Sequence, residues 1–127
     1  MKIILDTNFL IYCAKEKFDY VEKISDLVND NFELVVPEQV INELEKLKTD
    51  RFKKVSGKDN SACVLALQML KHNSVKIIKP EGKSVDEAII NFGSKDRNIV
   101  ATLDREMRKT LDRVILISKG KKLIFSK

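Results

Sequence analysis

Asp6 closes the run Lys2-Ile-Ile-Leu5, a short β-branched stretch of the kind that forms a buried parallel strand. An acid at the carboxyl end of such a strand stands where open α/β sheets bind their ligands. Three further acids reach the same edge by sequence position. Glu43 lies on the helix expected after the second strand, and Asp86 in the first turn of the helix after the third. Asp104 follows the fourth strand by two residues. Helical phase separates these acids from their neighbours. At about 100° per residue, Val40, Ile41, Leu44 and Leu47 form an apolar stripe with Glu43 roughly 40° from Leu47, while Glu45 points away. Asp86 lies roughly 60° from Ile89 on the stripe Val85, Ala88, Ile89 and Phe92, and Glu87 faces out. Each acid alone has an ordinary explanation: a helix N-terminus stabilises Asp86, and Asp104 suits a helix cap. Four carboxylates at one edge with no obvious buried Arg or Lys repel one another, and a hard divalent cation relieves that best. All-oxygen ligation selects Mg2+ or Mn2+ over zinc.

Positioning those acids requires alternating strands and helices. Strands are expected at Lys2–Leu5, Phe32–Val36, Val75–Ile78, Asn98–Thr102 and Val114–Ser118, with a final edge strand at Leu123–Phe125. Helices are expected at Asn8–Ala14, at Asp19–Val28 with Asp19-x-x-Glu22 as a capping box, and from Pro37 as first helical residue through Leu47. Further helices follow at Asn60–Lys71, from the capping box Ser84-x-x-Glu87 to near Gly93, and at Asp104–Leu111. Lys48 to Asp59 reads as a basic, mobile surface loop. The pattern specifies one domain over residues 1–127, a three-layer α/β/α sandwich with a mostly parallel central sheet.

Composition sets the outer limits. With 127 residues, 43% apolar and 34% charged, the chain is long enough for one filled core and too apolar for a disordered one. The net charge of +5 favours polyanionic partners, with local excesses between Glu45 and Lys58 and between Lys95 and Lys122. Cys13 and Cys63 sit among apolar neighbours, as free thiols in a reducing, cytoplasmic compartment do. Asp6, Thr7 and Asn8 interrupt the apolar start and no small-residue cleavage site follows, so no signal peptide is expected. No stretch approaches the roughly 20 apolar residues of a membrane span. His72, at a helix C-terminus, suits capping.

These residues resemble the PIN-domain nucleases. Ile4-Leu-Asp-Thr-Asn-Phe-Leu10 is similar to the family's opening. Val36-Pro-Glu-Gln-Val-Ile-Asn-Glu-Leu44, Asp86-Glu-Ala-Ile89 and Ile99-Val-Ala-Thr-Leu-Asp-Arg105 follow in the family's order, over nearly the whole chain. The resemblance implies a metal-dependent endoribonuclease in which Asp6, Glu43, Asp86 and Asp104 form the acidic quartet that binds the metal. Asn8 and Thr102 would support it. Two branches look close: VapC-type toxins, which share the bare single domain, and the PIN proteins of small-subunit ribosome assembly, which share Glu43-Leu-Glu-Lys-Leu47. RNA is the implied substrate, held along its backbone by Lys46, Lys48, Arg51, Lys53, Arg105, Arg108 and Lys109. A homodimer, an antitoxin or a ribosome-assembly factor are the candidate protein partners.

Three other readings fit less well. A PIN fold that binds RNA without cutting it has no need of acids at all four positions. A receiver-like phosphorylation switch needs paired acids after the first strand, which are missing. A haloacid-dehalogenase-type phosphatase needs Asp-x-Asp where this chain has Asp6-Thr7-Asn8.

Overall fold

Six short strands, most of them built from β-branched residues, assemble into one sheet whose central members are buried on both faces. In the computed structural model, which describes residues 1–49, 57–95 and 97–126, β1 (Lys2–Leu5) lies inside the sheet order β3-β2-β1-β4-β5-β6. Its neighbours are β2 (Glu33–Pro37) and β4 (Ile99–Ala101), with β3 (Lys76–Ile78), β5 (Val114–Ile117) and β6 (Leu123–Ser126) outside them. All pairings are parallel except β5 with β6, which is antiparallel. Ile3, Ile4, Leu5, Ile99, Val100 and Ala101 are fully buried, as expected for strands covered by helices on both faces.

The helices are α1 (Thr7–Lys15), α2 (Tyr20–Leu27), α3 (Glu38–Thr49), α4 (Gly57–His72) and α5 (Val85–Gly93), with a 3-10 turn at Arg105–Lys109. Helices α1 and α3 both pack against α4, whereas α5 packs on β2 and β4. Right-handed crossovers account for the two layers. The chain steps from β1 through β2 to β3 in one direction, then returns over the sheet to β4, so α5 covers the opposite face. The result is the expected α/β/α sandwich. The order reverses between β1 and β4, and this is the switch point where such sheets open a crevice.

Several expected boundaries move. Pro37 ends β2, paired with Ile78, and does not open α3. As the last residue of β2 it stands where the strand gives way to α3, and its missing N–H would be no loss in a helix's first turn either. Helix α4 starts at Gly57, ahead of the apolar pattern that begins at Ala62, because a first turn accepts polar residues. Lys48 and Thr49 belong to α3 rather than to a loop. Residues 50–56 of that expected loop, which include Arg51 and Lys53, lie outside the described residues. The helix expected over Asp104–Leu111 is the short 3-10 turn, capped by Asp104. No helix among the described residues is long and apolar enough to cross a membrane.

Candidate active site at the carboxyl edge of the sheet

Strand register brings Asp6 and Thr102 together. Leu5 pairs with Ala101 across β1 and β4, so the next residues, Asp6 and Thr102, leave the sheet side by side. The ladder continues into both: Asp6 N–H donates to Ala101 O at 3.0 Å, and Thr102 N–H to Ile115 O at 3.0 Å. Thr102, fully buried, donates its hydroxyl to Asp6 Oδ2 at 2.6 Å. The same Oγ1 accepts from Asp104 N–H at 3.1 Å. Asn8 Oδ1 accepts from Leu103 N–H at 3.1 Å and lies 3.3 Å from the Thr102 hydroxyl. Asp6, Asn8, Thr102 and the backbone leading to Asp104 are therefore one connected network.

Asp6 is also the residue before α1, yet capping does not account for it. A capping side chain accepts from the second or third helical N–H. Asp6 Oδ1 accepts from Thr7 N–H, its immediate neighbour, at 2.7 Å. Asp104 does cap in the ordinary way, accepting from Glu106 N–H at 2.9 Å. Asp6 is only 3% exposed, and none of the ion pairs among the described residues includes it. Burial pushes its carboxyl up to about 6, against the hydrogen bonds from Thr102 and Thr7, and the charges of Asp86 and Glu43 push it further in the same direction. The fold thus sets a desolvated carboxylate under the influence of two more.

A model of the PIN-like domain matches residues 3–120. This chain belongs to the PIN-like domain family. It is 39% identical over 111 residues to Ribonuclease VapC4 of Methanocaldococcus jannaschii, covering 87% of this chain and 82% of the relative. The PIN domain endonuclease Utp24 has a similar structure, with TM-score 0.72 at 20% identity over 96% of this chain and 90% of that one. A domain of a functionally unknown Methanocaldococcus jannaschii protein is more distant, with TM-score 0.57 at 13% identity over 97% and 95%. These two structures support the fold alone.

Within this PIN-like domain the four acids are not equally close. Glu43 and Asp86, expected beside their buried stripes, have exposed side chains on α3 and α5, yet both act electrostatically on Asp6. Their phases put them at stripe edges, where a carboxylate stays hydrated. Asp104 is half-buried, with one oxygen given to its cap. Among the described residues no three carboxylate, thiol or imidazole side chains form a ready-made metal cage. The donor chemistry nevertheless fits a hard divalent ion: a buried carboxylate, outside every ion pair among the described residues, feels the charge of two exposed acids. Of the basic residues, Lys46 and Arg108 are exposed, and Arg105 reaches Ile117 O at 3.4 Å. Lys48 and Lys109 pair with Glu45 and Glu106 at 2.7 and 2.8 Å. Such exposed pairs are weak and leave both lysines available to a polyanion.

Two residues at the site escaped the sequence reading. Thr7 is buried beside Asp6, and its Oγ1 has no hydrogen-bond partner among the described residues. Gln39 bonds to a loop some forty residues away, which no local pattern signals.

The raised Asp6 carboxyl makes stability depend on pH. The folded state holds this proton more tightly than an unfolded aspartate, which titrates near 3.8. Its contribution is therefore full below that value and is lost as pH rises through about 6, a change on the order of 3 kcal/mol. In EDTA, the stability of the parent measured relative to Asp6→Asn should fall across this window in urea denaturation. A difference that stays flat contradicts the assignment.

Proposed function

We propose that this PIN-like domain is a divalent-metal-dependent endoribonuclease, with Asp6, Glu43, Asp86 and Asp104 as the carboxylates that hold Mg2+ or Mn2+. The observation that carries this reading is the buried carboxylate of Asp6 at the sheet's switch point, outside every ion pair among the described residues and under the influence of Asp86 and Glu43. The 39% identity to a ribonuclease supports RNA as the substrate and the VapC-type branch as the role. An antitoxin is the protein partner that this branch implies, and the cytoplasm its compartment.

A bound divalent ion would lower the pKa of a coordinated water and neutralise charge on the scissile phosphate. The protein's contribution is placement. Thr102 and Thr7 N–H hold the Asp6 carboxylate in one orientation. Asn8 fixes the turn after β4 through Leu103 N–H, and with it the position of Asp104. Lys46, Arg105 and Arg108 supply positive charge for the RNA backbone, which positions a strand without reading its bases.

The test incubates purified protein with labelled single-stranded and structured RNAs in Mn2+, in Mg2+ and in EDTA, with Asp6→Asn as control. Cleavage is expected in Mn2+ or Mg2+ only, and only by the parent. Cleavage that survives EDTA or the substitution overturns the mechanism. RNA binding without cleavage under any condition replaces it with a scaffold role.

A further inference from the structure

Glu43 and Asp86 stand on different helices, and neither helix's internal hydrogen bonds set the distance between them. Gln39 sits one turn before Glu43 on the same side of α3, because four residues advance a helix by about 400°. Its Nε2 donates to Pro80 O at 3.0 Å and to Gly82 O at 2.8 Å, both in the loop between β3 and α5. The amide has no alternative orientation there, since its own oxygen would meet two carbonyl oxygens.

That loop is fastened to α5. Glu87 Oε2 accepts from Lys83 N–H at 3.1 Å, and Asn91 Nδ2 donates to Glu81 O at 2.8 Å. Gly82, at φ +139°, lies so close to the helix that a Cβ there would stand 2.6 Å from Ala88 N. Loop and α5 form one body carrying Asp86, and Gln39 joins that body to the helix carrying Glu43.

We propose that Gln39 is a positioning residue that fixes the spacing of Glu43 and Asp86 and thereby sets the affinity of the site for Mg2+ or Mn2+. The inference rests on the metal-site reading above. Glu43 and Asp86 are exposed, so burial does not hold them in place, and the clamp between their helices takes that role. Residues that orient ligands typically change metal affinity by about 10–100-fold when removed.

The experiment titrates Mn2+ and follows the free ion by electron paramagnetic resonance, with folding checked by circular dichroism. Gln39→Leu and Gln39→Met both remove the donors while keeping comparable bulk. Ile24→Val removes a buried methyl from α2, outside the clamp, and serves as the control for a merely structural loss. Both Gln39 variants should weaken the Mn2+ dissociation constant by about tenfold, with cleavage recovering at high Mn2+. Ile24→Val should lower the melting temperature and leave the constant within about twofold of the parent. If the folded Gln39 variants bind Mn2+ like the parent, or Ile24→Val weakens binding equally, the clamp is refuted and the metal site stands. If the parent binds no Mn2+, the site reading falls and the clamp with it.

Discussion

Asp6→Asn is expected to unfold at a higher temperature than the parent in EDTA near neutral pH, while losing RNA cleavage. At that pH the buried Asp6 carboxylate is ionised against the preference set by its burial and by Asp86 and Glu43. Asparagine removes the charge and retains the shape. Its Oδ1 can still accept from Thr7 N–H, and its Nδ2 can donate to Thr102 Oγ1. The Thr102 hydroxyl then turns to Asn8 Oδ1, which is already 3.3 Å away. The gain should be on the order of 2 kcal/mol, or several degrees in melting temperature for a chain of this size. Differential scanning calorimetry in EDTA measures it. A variant less stable than the parent would mean that Asp6 is a structural cap and that its charge strains nothing. A site that destabilises the metal-free fold follows from a carboxylate placed for a ligand.

Thr102→Val should be strongly destabilising although it is nearly isosteric. Valine fits the volume, yet it withdraws the 2.6 Å bond to Asp6 and leaves Asp104 N–H without its acceptor. A hydrogen bond to a charged group is worth about 1.5–3 kcal/mol, and the orphaned, half-buried Asp104 N–H adds about 1. A loss of about 3–4 kcal/mol is expected by urea denaturation. Since the Thr102 bond holds the Asp6 carboxyl down, its loss also raises that group further, so Mn2+ binding should require a higher pH than in the parent. Thr102→Ser, which keeps the hydroxyl, should lose about 1 kcal/mol and keep the parent's pH dependence. If serine and valine behave alike, the hydroxyl does not organise the site.

The order of strands and helices was legible because runs such as Ile3-Ile-Leu5 and Ile99-Val-Ala101 admit few other readings, and chirality then dictates the layers. Asp6 was legible because a strand end in such a fold is a known address for ligands. Its partner Thr102 followed from the family's pattern; the structure supplies the reason, which is register. Pro37 misled because proline suits both of two adjacent positions, the end of β2 and the start of α3. Helical phase set Glu43 and Asp86 at the edges of their apolar stripes, and both influence Asp6, but it could not show that they remain exposed, since exposure depends on what the next layer covers. The role of Gln39 was hidden because its partners, Pro80 and Gly82, are backbone carbonyls, and their position is set by how Gly82 lies on α5.

The site at Asp6 is tested most directly by isothermal titration calorimetry of Mn2+ into the metal-free protein, compared with Asp6→Asn at the same pH. The parent should bind saturably, with affinity falling as the pH drops below about 6, where protons compete for the Asp6 carboxylate. The folded Asp6→Asn variant should show no such binding. Equal Mn2+ binding by the two proteins would contradict the account, because it would place the metal away from the carboxylate on which the proposed chemistry depends.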